Sequence, residues 1–157
     1  MPSVLFVCLG NICRSPLAEA VFADICKKRR HDEVEVDSAG TAGYHVGERP
    51  DERSVAVCKQ HGVPISSRCR QLSKNDFTKF DYIIGMDRSN MANIEKVKPK
   101  NSTAKIAIFG SFNDGSRTVD DPYYGGDDGF ERVYQQCVKY SEGLLEDMGY
   151  GEGAKEK

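Results

Sequence analysis

Apolar positions along the 157-residue chain follow two alternating rhythms. "SVLFVC" (3–8) is a continuous apolar run rich in β-branched and aromatic residues, and it predicts a buried strand. "SPLAEAVFADICKK" (15–28) changes to helical spacing, with Leu17, Val21, Ile25 and Cys26 along one face. Ser15 is placed to cap this helix, and Pro16 suits its first turn. "EVEVDSA" (33–39) alternates like a strand, and "DERSVAVCKQH" (51–61) predicts a helix stopped by Gly62. "DYIIGM" (81–86) is a second buried strand, "RSNMANIEKV" (88–97) a helix ended by Pro99, and "AKIAIFG" (104–110) a fourth strand. "DGFERVYQQCVKYSEGLLEDM" (128–148) predicts a long final helix. The chain reads as one domain over 1–150 with a frayed tail over 151–157.

Strands alternating with helices imply an α/β domain in three layers, a parallel sheet with helices on both faces. In such sheets ligands sit beyond the carboxyl ends of the strands. Cys8 ends the first strand, Ser38 ends the second, Asp87 follows the third, and a polar loop (110–127) follows the fourth. The chemically interesting residues therefore fall at one edge.

Composition narrows the setting. The net charge is −2, which gives no global attraction to nucleic acid. The one basic cluster, "KKRRH" (27–31), suits a solvated helix C-terminus, where cations meet the dipole. No apolar run reaches the length of a membrane span. The N-terminus lacks the basic region of a secretory signal, which places the protein in the cytoplasm. Thiols stay reduced there, so the six cysteines are not read as three structural disulfides.

The stretch "VCLGNICRSP" (7–16) admits four readings. Metal binding is disfavoured, because zinc sites pair Cys or His at short spacing. Cys8 and Cys13 do not pair in that way, and Cys58 with His61 has no second pair; a half-buried thiol and a surface histidine describe them better. A nucleotide phosphate loop fails because its second glycine and lysine are missing. Packing alone explains Cys26 and Cys137 in their helices, but it does not explain the arginine and serine that follow Cys13. The fourth reading is a nucleophile in an anion cradle. With a strand ending at Cys8 and a helix beginning near Ser15, the backbone N–H groups of Leu9, Gly10, Asn11, Ile12, Cys13, Arg14 and Ser15 can surround a tetrahedral oxyanion. A helix N-terminus and a nearby arginine favour thiolate over thiol. Arg14 offers a planar fork for two phosphate oxygens, and Ser15 can donate to the sulfur as it leaves.

With those residues in view, the sequence resembles the low-molecular-weight protein tyrosine phosphatase family. The likeness is specific at "VCLGNICRSPLAEA" (7–20) and "DDPYYGG" (120–126) and runs from about Val4 to Leu145. It implies a four-stranded parallel sheet of order 2-1-3-4, the phosphatase I-like fold. It also implies hydrolysis of phosphomonoesters without cofactor or metal. Phosphotyrosine proteins and small aryl phosphates would be the substrates, and phosphate-like oxyanions would inhibit. By position, Cys8 matches the nucleophile, Arg14 the phosphate-binding arginine, Ser15 the hydroxyl beside the nucleophile, and Asp121 the general acid. Asn11 and Ser38 match the network that shapes the loop. Tyr123 and Tyr124 match one wall of the substrate cleft and Tyr44 the other. Cys13 matches a second cysteine that protects Cys8 through a reversible disulfide. Some members carry tryptophan where Tyr44 stands and histidine near Ser67.

Several of these positions have plainer readings. An Asp before Pro is often turn chemistry, and Asp120 rivals Asp121 as the acid. Tyr123 and Tyr124 could pack their loop against the domain. Asp87 could brace Arg14 or cap the helix that follows it. Two other functions fit parts of the pattern. A thiol-dependent arsenate reductase would relay oxidation through further cysteines; Cys58 and Cys69 are available, but "YIIGMDRSN" (82–90) has no cysteine pair, and "DPYYG" (121–125) favours a phosphatase. A phosphoprotein-binding module without turnover would not need both Cys8 and Asp121.

Overall fold

The computed structural model describes residues 2–114, 118–119 and 129–150. Its elements run β1 (Ser3–Cys8), α1 (Arg14–Lys28), β2 (Glu35–Gly40), α2 (Glu52–Gln60), α3 (Asp76–Lys79), β3 (Tyr82–Gly85), α4 (Arg88–Val97), β4 (Lys105–Ile108), α5 (Ser111–Asp114) and α6 (Gly129–Asp147). The four strands form one parallel sheet in the order β2-β1-β3-β4, as the resemblance implied. The tail at 151–157 lies outside the described residues.

β1 is the hub. It pairs with β2 on one side, Val4 opposite Val36, and with β3 on the other, Val4 opposite Tyr82. Every residue of β1 is buried, as a strand covered on both faces requires. Its side chains alternate between two cores. Val4, Phe6 and Cys8 join the cluster filled by Leu17, Val21 and Phe22 of α1 and by Val133, Cys137 and Leu144 of α6. Leu5 and Val7 join the opposite cluster with Phe77, Phe80, Ile83 and Ile94. The Phe6 ring is central to the first cluster, set edge-on to Phe22 at 5.6 Å and to Phe109 at 5.0 Å between centroids.

The chain winds from β1 to β2 on one side, then crosses to β3 on the other. That reversal opens a crevice at the carboxyl end of β1, and the 9–13 segment sits there.

Some sequence expectations need correction. α1 starts at Arg14 rather than Ser15, and its N-terminal flank, Cys13, makes no side-chain cap. Ser15 is not a cap because its hydroxyl is committed to Cys8. Ile25 is only partly buried, while Cys26 is in the core. Ser38 lies inside β2, which continues to Gly40. Cys58 is fully buried rather than half-buried. His61 is exposed as expected, bonded to Glu131 and stacked on Tyr134 at 3.9 Å. The basic cluster puts Lys27 and Lys28 in the last turn of α1, but Arg29 bonds the Glu142 carboxylate of α6 instead of facing solvent alone. The single-turn helices α3 and α5 carry too few residues to show a periodicity in sequence.

Phe6→Ala removes the ring that joins α1 to the strand interior, and it is expected to lower unfolding free energy by about 3–5 kcal/mol in urea titrations.

Candidate active site

The loop after β1 takes its shape from its carbonyls. The Cys8 carbonyl accepts from Thr41 N–H at 2.9 Å, Leu9 from Ala42 at 2.9 Å, and Ile12 from Asp51 at 2.7 Å. The Asn11 carbonyl accepts from the Cys69 thiol at 2.8 Å. Each of these carbonyls is tied outward to the scaffold. No peptide in the described chain is cis, and a trans peptide points its N–H opposite to its carbonyl. The N–H groups of Leu9, Gly10, Ile12 and Cys13 are therefore turned into the loop, which makes it an anion cradle. Asn11 makes the bend with φ of 57°, a left-handed conformation that asparagine tolerates better than most residues.

Gly40 lets the cradle sit against the sheet. A Cβ there would lie 2.7 Å from the Leu9 carbonyl oxygen, 2.9 Å from the Asn11 nitrogen and 2.9 Å from the Gly10 carbonyl carbon. All three are backbone atoms that cannot move aside independently.

Inside the cradle, Cys8 is buried with its Sγ 3.0 Å from Ser15 Oγ. The Asn11 amide donates to Ser15 Oγ at 2.8 Å and to Ser38 Oγ at 2.9 Å. Those two bonds use both protons of the amide nitrogen. The Ser15 hydroxyl proton is thereby left for Cys8 Sγ or for the Ala39 carbonyl at 3.5 Å, and the Ser38 hydroxyl proton goes to Glu19 Oε1 at 2.5 Å. On its other side, the Asn11 carbonyl oxygen Oδ1 accepts from Arg70 N–H at 2.8 Å. Arg70 is itself fixed by Asp37 and Asp76. Burial pushes the Glu19 carboxyl up to about 7, and neighbouring Asp37 adds to this, while the Ser38 bond and Arg70 oppose it.

Arg14 is buried at the start of α1. Its Nη1 donates to Asp87 Oδ2 at 2.7 Å and to the Val119 carbonyl at 3.2 Å. Asp87 also caps α4, accepting from Asn90 N–H at 2.8 Å, while the Asn90 side chain accepts from the Asp87 N–H in return. Both sequence readings of Asp87 hold at once, because its two carboxylate oxygens serve different partners. Val119 is anchored to Met86 through its N–H and stands two residues before Asp121 in sequence.

The 41–48 segment packs beside the loop through the Thr41 and Ala42 N–H groups. Leu9, Tyr44 and Val46 are 47%, 76% and 58% exposed, the large apolar side chains left uncovered among the described residues. His45 lies against Gly10, where an added Cβ would meet its ring at 3.1 Å, and it bonds Glu48. Asp120, Asp121, Tyr123 and Tyr124 lie outside the described residues.

The other cysteines divide by surroundings. Cys13 is buried beside the cradle and donates to Asp51, whose carboxyl is held below its usual range mainly by the Arg53 side chain. Burial pushes Cys26 and Cys58 up to about 12 and raises Cys137 as well, which suits packing thiols. Burial likewise raises Cys69 and keeps it protonated, as its donor role needs. Among the described residues no group of His, Cys, Asp and Glu is gathered to hold a metal ion, and no helix is long and apolar enough to cross a membrane.

Sequence reasoning missed Glu19, Gly40, Cys69 and Arg70. Glu19 carried one usable signal, its spacing of four from Ser15, which puts both on one helix face. The others reach the loop from segments distant in sequence.

A buried thiol in an amide-lined loop, between the central strand of a doubly covered parallel sheet and a helix N-terminus, defines a cysteine-based α/β phosphatase. The sequence profile described as "Low molecular weight phosphotyrosine protein phosphatase" matches residues 3–152, and the chain belongs to that family of protein tyrosine phosphatases. The Schizosaccharomyces pombe protein of that name is 50% identical over 151 residues, covering 92% of this chain and 96% of its own. The Homo sapiens protein is 48% identical over 148 residues, covering 92% and 94%. A crystal structure of a protein tyrosine phosphatase from Entamoeba histolytica, with Hepes in its active site, superposes with a TM-score of 0.88 at 38% identity, covering 94% of this chain and 97% of that one.

Gly40→Ala is expected to displace the cradle and lower kcat/KM for an aryl phosphate by about tenfold or more, since small misplacements of reacting groups weigh heavily. Circular dichroism should show the fold retained. Asp87→Ala is expected to lose about 1 kcal/mol of stability with the cap and to weaken phosphate binding by freeing Arg14. Asp87→Asn should restore stability in urea titrations, because Asn caps equally well, without restoring the charge pairing on Arg14 or the kinetics.

Proposed function

We propose that this chain hydrolyses phosphotyrosine in proteins, and aryl phosphates of similar shape, through a cysteinyl-phosphate on Cys8. The observation that carries this reading is the Cys8 thiol 3.0 Å from the Ser15 hydroxyl within inward-turned loop amides. Cys8 thiolate attacks phosphorus, the bond to the leaving oxygen breaks, and Asp121 gives its proton to that oxygen. Water then attacks the cysteinyl-phosphate with Asp121 accepting a proton, which releases phosphate and the thiolate. Arg14 and the amides of Leu9, Gly10, Ile12 and Cys13 stabilise charge on the equatorial oxygens throughout.

The exposed apolar side chains of Leu9, Tyr44 and Val46 support an aryl substrate. Tyr44 is assigned to one wall, with Leu9 at the rim, and Tyr123 and Tyr124 to the other. Phosphate-like oxyanions should inhibit by occupying the cradle, a reading supported by the sulfonate-bearing buffer in the active site of the Entamoeba relative. Cys13, adjoining the cradle, is assigned as the partner that forms a disulfide with Cys8 when a peroxide takes the two electrons and two protons of the thiols and is reduced to water, a bond that a cytoplasmic thiol reductant opens again. Asn11, Ser38 and Asp87 support the loop.

Aryl-phosphate hydrolysis should be measured across pH with chelator present. Wild type is expected to show an optimum below neutrality, because the thiol must be ionised while the acid keeps its proton. Cys8→Ser should abolish turnover, and Asp121→Ala should lower it by roughly 10²–10⁴-fold. Full activity of Cys8→Ser would overturn the nucleophile, and loss in Asp120→Ala but not in Asp121→Ala would move the acid to Asp120.

A further inference from the structure

The hydrogen bonds behind the cradle form two arms that share one nitrogen. The Asn11 amide donates one proton toward Ser15 and Cys8 and the other toward Ser38 and Glu19. An anion at the end of either arm draws the amide proton on its own side and weakens donation to the other, because linked hydrogen bonds polarise one another. Cys8 and Glu19 end the two arms, so their negative charges compete for the same donor.

Glu19 is half-buried and poorly compensated for a desolvated acid. Its side-chain partner is the neutral Ser38 hydroxyl. The charged groups around it are Asp37 on β2, which repels it, and Arg70, which is shared between Asp37 and Asp76. From its own helix, Asp24 and Lys27 line the same groove, and Asp24 is paired with Lys28 at 2.8 Å. The segment facing α1 across that groove brings Pro64, Ile65, Ser66 and Ser67, none of them charged. This groove of about 210 Å³ gives Glu19 a route for proton exchange with solvent from behind the cradle.

We propose that Glu19 is a positioning residue that makes the anion loop responsive to pH: protonated, it leaves the Asn11 amide to the Ser15–Cys8 arm, and ionised, it opposes negative charge in the cradle. This rests on Cys8 as the site of the reaction, and it adds a second ionisation to the one that the acid imposes. Such a control damps the enzyme as pH rises through neutrality. It acts through Ser38 and Asn11 and needs no contact with substrate.

Coupling between two ionisations is reciprocal, so it can be read without turnover. Side-chain carboxyl titration is followed by carbon-13 NMR in wild type and in Cys8→Ser, with the Glu19 signal assigned by its loss in Glu19→Gln. The Glu19 midpoint is expected to fall in Cys8→Ser by about 0.5 pH unit or more, a threefold change in proton affinity. Kinetically, Glu19→Gln keeps an acceptor for Ser38 but has no charge. The ratio of its kcat/KM at about pH 7.5 to that at about pH 5.5 is expected to exceed the wild-type ratio by about threefold. An unchanged Glu19 midpoint overturns the proposal, as does a pH profile of Glu19→Gln that runs parallel to wild type, the result of a merely structural role. Neither outcome bears on whether Cys8 is the nucleophile, which the turnover of Cys8→Ser decides separately.

Discussion

The site depends on where four carbonyl groups point. Thr41, Ala42, Cys69 and Asp51 hold the carbonyls of Cys8, Leu9, Asn11 and Ile12 away from the loop centre, and the planar peptide then turns the N–H groups inward. An array of convergent donors is unfavourable unless an anion fills it. The surrounding fold holds the loop in that arrangement before any substrate arrives, and this is the preorganisation on which electrostatic catalysis relies. The thiol, the arginine and the helix start are arranged around that frame.

The frame is anchored from several parts of the chain. β1 brings Cys8 to the carboxyl edge because it lies in the middle of the sheet with both faces covered. Gly40, at the end of β2, allows the loop to pack directly on the strand. Asp87, after β3, gives one oxygen to Arg14 and the other to the first turn of α4. Arg14 is thereby tied to a rigid helix cap, and the loss of rotamer freedom that a long side chain suffers on binding phosphate is met in folding rather than in catalysis. Arg70 bridges two carboxylates and presents its own N–H to Asn11, which fixes the residue in the left-handed bend.

Buried thiols and acids here have distinct roles set by their surroundings. Cys26, Cys58 and Cys137 lie among apolar side chains, where ionisation is disfavoured, and they act as small packing residues. Cys69 has a raised thiol for a similar reason, but its proton is directed to the Asn11 carbonyl, so it is part of the loop's support. Glu19 is the acid counterpart, half-buried next to a hydroxyl and without a cation of its own.

The hydrophobic pattern of the sequence determined most of the fold. The four strands, the α2, α4 and α6 helices and all but the first residue of α1 were legible from periodicity and caps, because a strand covered on both faces and an amphipathic helix leave their period in the residues themselves. The "CLGNICRSP" stretch (8–16) also disclosed an anion loop, since strand end, spacing and helix start are local facts. Only the tertiary structure could decide what Ser15 does, because capping and bonding to Cys8 are equally compatible with its place in sequence. The two roles of Asp87 were undecided for the same reason. Glu19 has no role legible in the sequence, because its partner Ser38 comes from β2. Gly40, Cys69 and Arg70 gained their roles only when crossovers brought segments some thirty to sixty residues away in sequence against the loop. Periodicity records which face a residue turns to the core, whereas a hydrogen-bond partner from a distant segment leaves no local trace.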